Sequence, residues 1–233
     1  MNPMKTEEAI FPKRPAGARF NLSDDVFIII RKKILTREIR PGERMNIDSL
    51  SRDLNVSQTP IREALARLEE TGLVIKEPLK GFKASQLLTN KEAQDLFNFR
   101  EVVEPFAAHL AAHHASEEHI NSLEQELERI ADVPSKSGVQ AFESLADHDE
   151  RLHTHIFEIG QNNLLTKAYK SAHCFLHLYR LHFIRDVPVD AQDTLNEHQR
   201  IVEAIRKKSP DAARAAMVDH LTNARKRFQY PAI

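Results

Sequence analysis

The stretch NVSQTPIREAL, residues 55–65, decides how the front of the chain is read. Asn55-Val56 is a small polar turn, and Ser57 stands where a helix begins. Pro60 falls in the first helical turn, where its missing N–H is of little consequence. Ile61 and Leu65, with Leu68 beyond them, form an apolar stripe at helical spacing. Ser57, Gln58, Thr59 and Arg62 gather short donors, acceptors and one guanidinium at the N-terminal end. A helix entering the DNA major groove has that end toward the bases and phosphates, where the dipole also favours an anion. Gln58 has the hydrogen-bonding groups to read adenine, and Arg62 those to read guanine.

The flanks support the same reading. Ser23 with Asp24 and Asp25 predicts a helix start, and Val26, Ile29, Ile30 and Ile34 continue one face to about Thr36. Arg40-Pro41-Gly42-Glu43 is a turn. Asn46 caps a short helix with Ile47, Leu50 and Leu54 inward. After Thr71-Gly72, LVIK and FKAS read as two strands joined by EPLKG, whose tip, Lys80-Gly81, suits a wing laid along the DNA backbone. Three helices followed by a hairpin are a winged helix-turn-helix.

Residues 22 to 84 resemble the DNA-binding domain of the GntR family of bacterial transcription regulators. The resemblance rests on the PGE turn, the SxTPxREAL core, the LExxGLV exit and the KGF wing, in that order. It implies DNA contacts from Arg62 and Gly81. Two positions depart from the family pattern. Gln58 and Asp48 stand where many members carry arginine, which implies a different operator and no phosphate contact from Asp48.

The bulk numbers are those of a soluble protein: 233 residues, 41% hydrophobic and 29% charged. No apolar run is long enough for a membrane span, and the N-terminus lacks the apolar core of a secretory signal. Cys174 is the single cysteine, which excludes an intrachain disulfide and predicts a cytoplasmic protein. The net charge of -1 hides an asymmetry: residues 1–88 hold 16 Lys/Arg against 12 Asp/Glu, the remainder 17 against 22. All 12 histidines lie at or after His109. The expected division is a flexible arm (1–20, with Lys13, Arg14 and Arg19), a winged helix-turn-helix (21–86) and an all-α domain (89–230). The second domain reads as a six-helix bundle, roughly 90–114, 117–132, 138–159, 162–186, 190–208 and 210–228. The fold class is therefore mostly α.

The histidines raise the question of a metal. Asp149 and His153 are four apart on one predicted helix and share a face; His198 and His220 lie on two later helices. Such a nitrogen-rich set suits Zn, Ni, Fe or Mn. Spacing alone does not choose it over His148, His155, His173/His177 or His109/His113. FREVVEPFAAHLAA, DHDERLHTHIFEIGQNNLL, EHQRIVEAIRKK and MVDHL are similar to the FCD ligand-binding domain of FadR-like GntR regulators, and six helices resemble its VanR-type group. That resemblance implies Asp149, His153, His198 and His220 as metal ligands. Leu152 stands where many members have phenylalanine, which leaves the ligands intact.

A small carboxylate or sugar acid is the expected effector. Arg100 matches the arginine of the family's R-x-x-x-E pattern, with Glu104, and is the expected anchor; the competing reading is an Arg100–Glu104 surface pair. Arg180 is a second anchor candidate. The whole reads as a metabolite-responsive repressor, a homodimer on a palindromic operator. The alternatives are a DNA-binding regulator with a purely structural metal, and a metal-dependent hydrolase suggested by the His148-Asp149 dipeptide.

Overall fold

The computed structural model describes residues 22–131, 139–172 and 191–228. The chain divides into two compact units between Leu87 and Leu88.

In the first unit, α1 (Leu22–Leu35), α2 (Ile47–Asp53) and α3 (Gln58–Glu70) precede a small sheet of β1 (Arg44–Met45), β2 (Val74–Glu77) and β3 (Gly81–Ala84). The stripe expected on the third helix is its core face: Ile61, Leu65 and Leu68 are buried beside Val26, Ile30 and Leu54. Asn46 caps α2 by accepting from the Ser49 N–H at 3.0 Å. Asn55 makes the turn into α3 with a left-handed backbone, φ 52°.

Three details differ from the sequence reading. Helix α1 already includes Leu22, so Ser23 sits buried inside the first turn and does not cap it from outside. Ser57 is at the N-cap of α3 with extended backbone, but its side chain makes no capping hydrogen bond. The sheet has three strands, ordered β1-β3-β2 and antiparallel throughout. β1 escapes sequence reading because it is two residues long and follows a turn motif. Gly42 in that turn has φ +77°, a left-handed backbone that favours glycine, and an added Cβ would push against the Gln86 side chain, 2.2 Å from Nε2. The β2–β3 register pairs Glu77 with Gly81 and leaves Lys80 exposed at the wing tip.

The described residues of the second unit form six helices: α4 (Asn90–His114), α5 (Glu117–Glu128), α6 (Val139–Ile159), α7 (Asn163–Ser171), α8 (Ala191–Arg206) and α9 (Pro210–Phe228). Helix α4 starts in a capping box between Thr89 and Glu92 and runs on through Pro105. It packs most extensively on α9 and also meets α6 and α8. Alanines 107, 108, 111 and 112 of α4 let it approach closely, and Leu152, Ile156, Ile201, Ile205, Met217 and Leu221 complete the core. The predicted helix 162–186 is seen as α7 as far as Ser171; its remainder, with Cys174 and Arg180, lies outside the described residues, as does the N-terminal arm. No helix among the described residues is long and apolar enough to cross a membrane.

Leu65 is fully buried in the first unit. Leu65→Ala is expected to cost that unit about 2–5 kcal/mol, and Leu65→Met less than about 1.5 kcal/mol. Denaturant unfolding followed by circular dichroism measures both; a cost below ~1 kcal/mol for the alanine variant would contradict the packing.

Candidate functional site

Three helices of the second unit carry charged and imidazole side chains on their buried faces. His153 (α6), His198 (α8) and His220 (α9) converge there, each with a ligand atom within 4.8 Å of the others. Their ring centroids are 5.5 Å (153–198), 5.1 Å (153–220) and 4.6 Å (198–220) apart. All three rings are buried, at most 2% exposed. Asp149, one turn before His153 on α6, places Oδ1 3.6 Å from His198 Nε2. This is too long for a hydrogen bond.

Each imidazole is held from behind. Glu104 of α4 accepts from His153 Nδ1 at 2.7 Å, and Glu197 of α8 from His220 Nδ1 at 2.9 Å. His198 Nδ1 lies 2.9 Å from His148 Nε2, and His148 Nδ1 lies 3.1 Å from Glu126 Oε1 on α5. A carboxylate only accepts, so the proton order is set: His148 gives its Nδ1–H to Glu126 and takes the His198 Nδ1–H on its bare Nε2. His198 is thereby fixed with Nε2 unprotonated. Among the described residues, neither His198 Nε2, His220 Nε2 nor Asp149 Oδ1 has a hydrogen-bond partner, although all are buried. Buried lone pairs left without partners are costly, and a cation among them would satisfy them.

Arginines close the outer ring. Arg100 pairs with Glu104 through Nε and Nη2, Arg227 forks onto Glu197, and Arg151 and Arg129 reach Glu126. Burial would raise the Glu104 carboxyl, but the Arg100 charge and His153 outweigh it and hold it at about 2. Glu197 is likewise opposed by burial and is lowered to about 2 by His220 and Arg227. Burial, followed by the neighbouring imidazoles and Arg227, pushes His198 well below the ordinary histidine range. Burial also lowers His148 and His220, against the pull of Glu126 and Glu197. The rings of His148, His198 and His220 are thus neutral near pH 7, the state a metal requires of its ligands.

The structure therefore brings His153, His198 and His220 together, and Asp149 joins them through His198. Arg100 and Glu104 are also here, as an i,i+4 pair, but a buried one rather than the surface pair considered from sequence. Glu126, Glu197 and Arg227 were missed. A signal existed: Glu126 follows the Ile120 and Leu123 stripe of α5 at helical spacing, and a charge on an apolar stripe needs a buried partner. Of the rivals, His148 supports His198 and forms, with Asp149 and His198, a second ligand-like group.

In the first unit, Ser57, Gln58, Thr59 and Arg62 lie exposed at the N-terminal end of α3, and Lys80 and Gly81 are exposed on the wing. This end of the helix has no acidic residue in its first turn, so its dipole is not neutralised from within.

Residues 22–83 match the family model for bacterial regulatory proteins of the gntR family, and residues 95–223, more than half of the chain, match that of the FCD domain. The chain belongs to the GntR family. It is a DNA-binding transcription regulator with an FCD effector-binding domain. The Nta operon transcriptional regulator of Aminobacter aminovorans is 30% identical over 183 residues, 78% of this chain and 82% of that one. The transcriptional repressor RspR of Escherichia coli strain K12 is 25% identical over 218 residues, 94% of this chain and 91% of its own. Among solved structures, E. coli McbR/YncC shares the fold with a TM-score of 0.67 at 16% identity, covering 90% of this chain and 98% of that one. The two sequence relatives carry the names of transcription regulators, not of enzymes.

The protonation states generate a pH prediction for chelator-treated protein. Unfolded histidines titrate near 6.5, whereas His198 and His220 refuse protons in the fold. The unfolded chain then binds more protons, so stability falls as the pH drops through about 6.5. Glu104 and Glu197, held at about 2, contribute stability above about 4.5 that is lost only in a lower window, between about 4.5 and about 2. Melting temperatures of the helical domain should therefore fall between about pH 8 and about pH 5.5; a flat or rising profile would contradict the neutral buried cluster.

Proposed function

We propose that this GntR regulator is a repressor whose helical domain holds a divalent transition metal and senses a small organic acid. Operator reading is assigned to residues 21–86, and effector binding with dimerisation to 89–230. The observation that carries the reading is the convergence of three buried histidines from three helices beside Asp149. Asp149, His153, His198 and His220 are the proposed ligands, a donor set that suits Zn, Ni, Fe or Mn. A bound ion of this kind supplies a Lewis-acidic centre with coordination positions left over for carboxylate or hydroxyl oxygens.

The surrounding residues give the site its preference for an anion. Glu104, Glu197, Glu126 and Asp149 are matched in number by Arg100, Arg227, Arg151 and Arg129. The set is formally neutral with neutral histidines, and a divalent cation would leave it positive. An acid fits that charge in a buried place where electrostatics are strong. Glu104 holds the His153 ring and Arg100 holds Glu104, so this pair acts on the site from α4. Helices α4, α5, α6, α8 and α9 all send a side chain into the network. An effector that shifts one of them alters the dimer and the spacing of its two recognition helices. A coupling of ~1.4 kcal/mol is enough for a tenfold change in operator affinity. A two-fold dimer implies a palindromic operator, and the repressor name of RspR supports the sign.

The test is a thermal-shift screen of metal-loaded protein against small carboxylic and sugar acids. A ligand at 100 times its dissociation constant adds ~2.7 kcal/mol, which is about 2–4 °C in a chain of this size. The hit is expected to vanish after chelation and to change operator affinity. A broad library without a hit, while the metal stays tightly bound, would favour a purely structural ion. For the first unit, Arg62→Ala is expected to cost ~1–3 kcal/mol in specific DNA binding; unchanged operator affinity would contradict the groove assignment.

A further inference from the structure

The DNA-reading end of α3 carries a hydrogen-bonded chain that begins outside the helix. Asp48, in the first turn of α2, accepts from Gln58 Nε2 at 2.5 Å. The same amide's Oε1 accepts from Arg62 Nη2 at 3.2 Å. All three side chains are exposed on one surface, and the chain spans the turn between the two helices. As surface bonds they contribute little to stability. Their consequence is orientation.

A carboxylate can only accept, so the amide nitrogen of Gln58 must face Asp48. The amide oxygen is then forced to the far side, where Arg62 meets it. Without Asp48 the amide is free to turn over, and a turned amide would set its N–H groups against the guanidinium, donor against donor. Asp48 therefore decides which way Gln58 faces, and Gln58 in turn restricts the Arg62 fork before DNA arrives. Asp48 also places the only carboxylate in this chain of contacts beside the N-terminus of α3, where phosphate would otherwise be attracted.

We propose that Asp48 is a specificity-determining residue that works without touching DNA: by fixing the Gln58 amide it aims Arg62 at its base, and by its charge it weakens sequence-independent binding at the same end. This rests on the reading of α3 as the recognition helix. Asp48 is a positioning residue, Arg62 the base reader, and Gln58 the bridge between them.

The experiment uses the full chain and duplexes selected from a random-sequence pool by the unaltered protein. Every single-base variant of the selected site, and an unrelated duplex, are then titrated at two salt concentrations with Arg62→Ala, Gln58→Ala, Asp48→Ala, Asp48→Asn and the Asp48→Ala/Gln58→Ala pair. Arg62→Ala identifies the base pair read by Arg62. Asp48→Ala is expected to lose about tenfold discrimination at that same base pair, the scale of one good base contact, while binding the unrelated duplex more tightly. The double variant should be no worse than the worse single one, because the residues act as one chain. Asp48→Asn keeps the shape and offers both a donor and an acceptor, so it should lose discrimination while melting as the parent does. The proposal is overturned if Asp48→Ala and Asp48→Asn keep discrimination at that base pair within about twofold, or if they weaken all duplexes equally. If Arg62→Ala itself shows no base-specific loss, the recognition-helix reading fails first, a distinct result that removes the proposal with it.

Discussion

Everything in the helical domain answers to one constraint: imidazoles buried among helices must have both ring nitrogens accounted for. Glu104, Glu197 and the His148–Glu126 pair take the Nδ1 sides of His153, His220 and His198. That leaves the unprotonated Nε2 atoms of His198 and His220 buried together, with Asp149 Oδ1 beside His198. In metal centres, carboxylates behind histidine ligands fix tautomer and ring angle and raise ligand basicity. The arginines behind them make buried carboxylates tolerable. Breaking one partner of such a pair would strand a charge, which is far more damaging than the pair is stabilising.

The same network ties the site to the architecture. Glu104 comes from the long α4, which packs on α9, while Glu126 comes from α5 and Glu197 from α8. A change at the ligands is felt by five helices at once, and packed cores do not deform continuously. That is the physical link which the proposed function requires between a small molecule at the centre and a change in a DNA-reading dimer. In the first unit the logic is opposite. The bonds at the tip of α3 are exposed and individually weak, and what they govern is the aim of a side chain.

Much of this was legible in the sequence because it is local. The apolar stripe Ile61-Leu65-Leu68 specified the face that α3 buries, and Gly42 marked a turn whose left-handed backbone favours glycine. Asp149 and His153 were readable as neighbours because four residues make one helical turn. The histidines His198 and His220 needed a family resemblance to be singled out, since spacing carries no information across separate helices. The supporting shell was not read: glutamates are exposed in most helices, and apart from the place of Glu126 on an apolar stripe, only tertiary packing shows them buried. The two-residue strand β1 was hidden for a similar reason, because its partner β3 lies almost forty residues on. Ser57 was expected as a cap, yet it leaves its hydroxyl out of the helix start.

The central claim is that Asp149, His153, His198 and His220 form one divalent-metal centre. It is tested most directly by metal analysis and calorimetric titration of the chelator-stripped protein beside its His198→Ala and His220→Ala variants. The account predicts about one equivalent per chain in the parent, and occupancy lost or affinity reduced by orders of magnitude in both variants while their helical content is kept. Full, tight occupancy in both variants would contradict it, and would assign the metal to a different set of histidines.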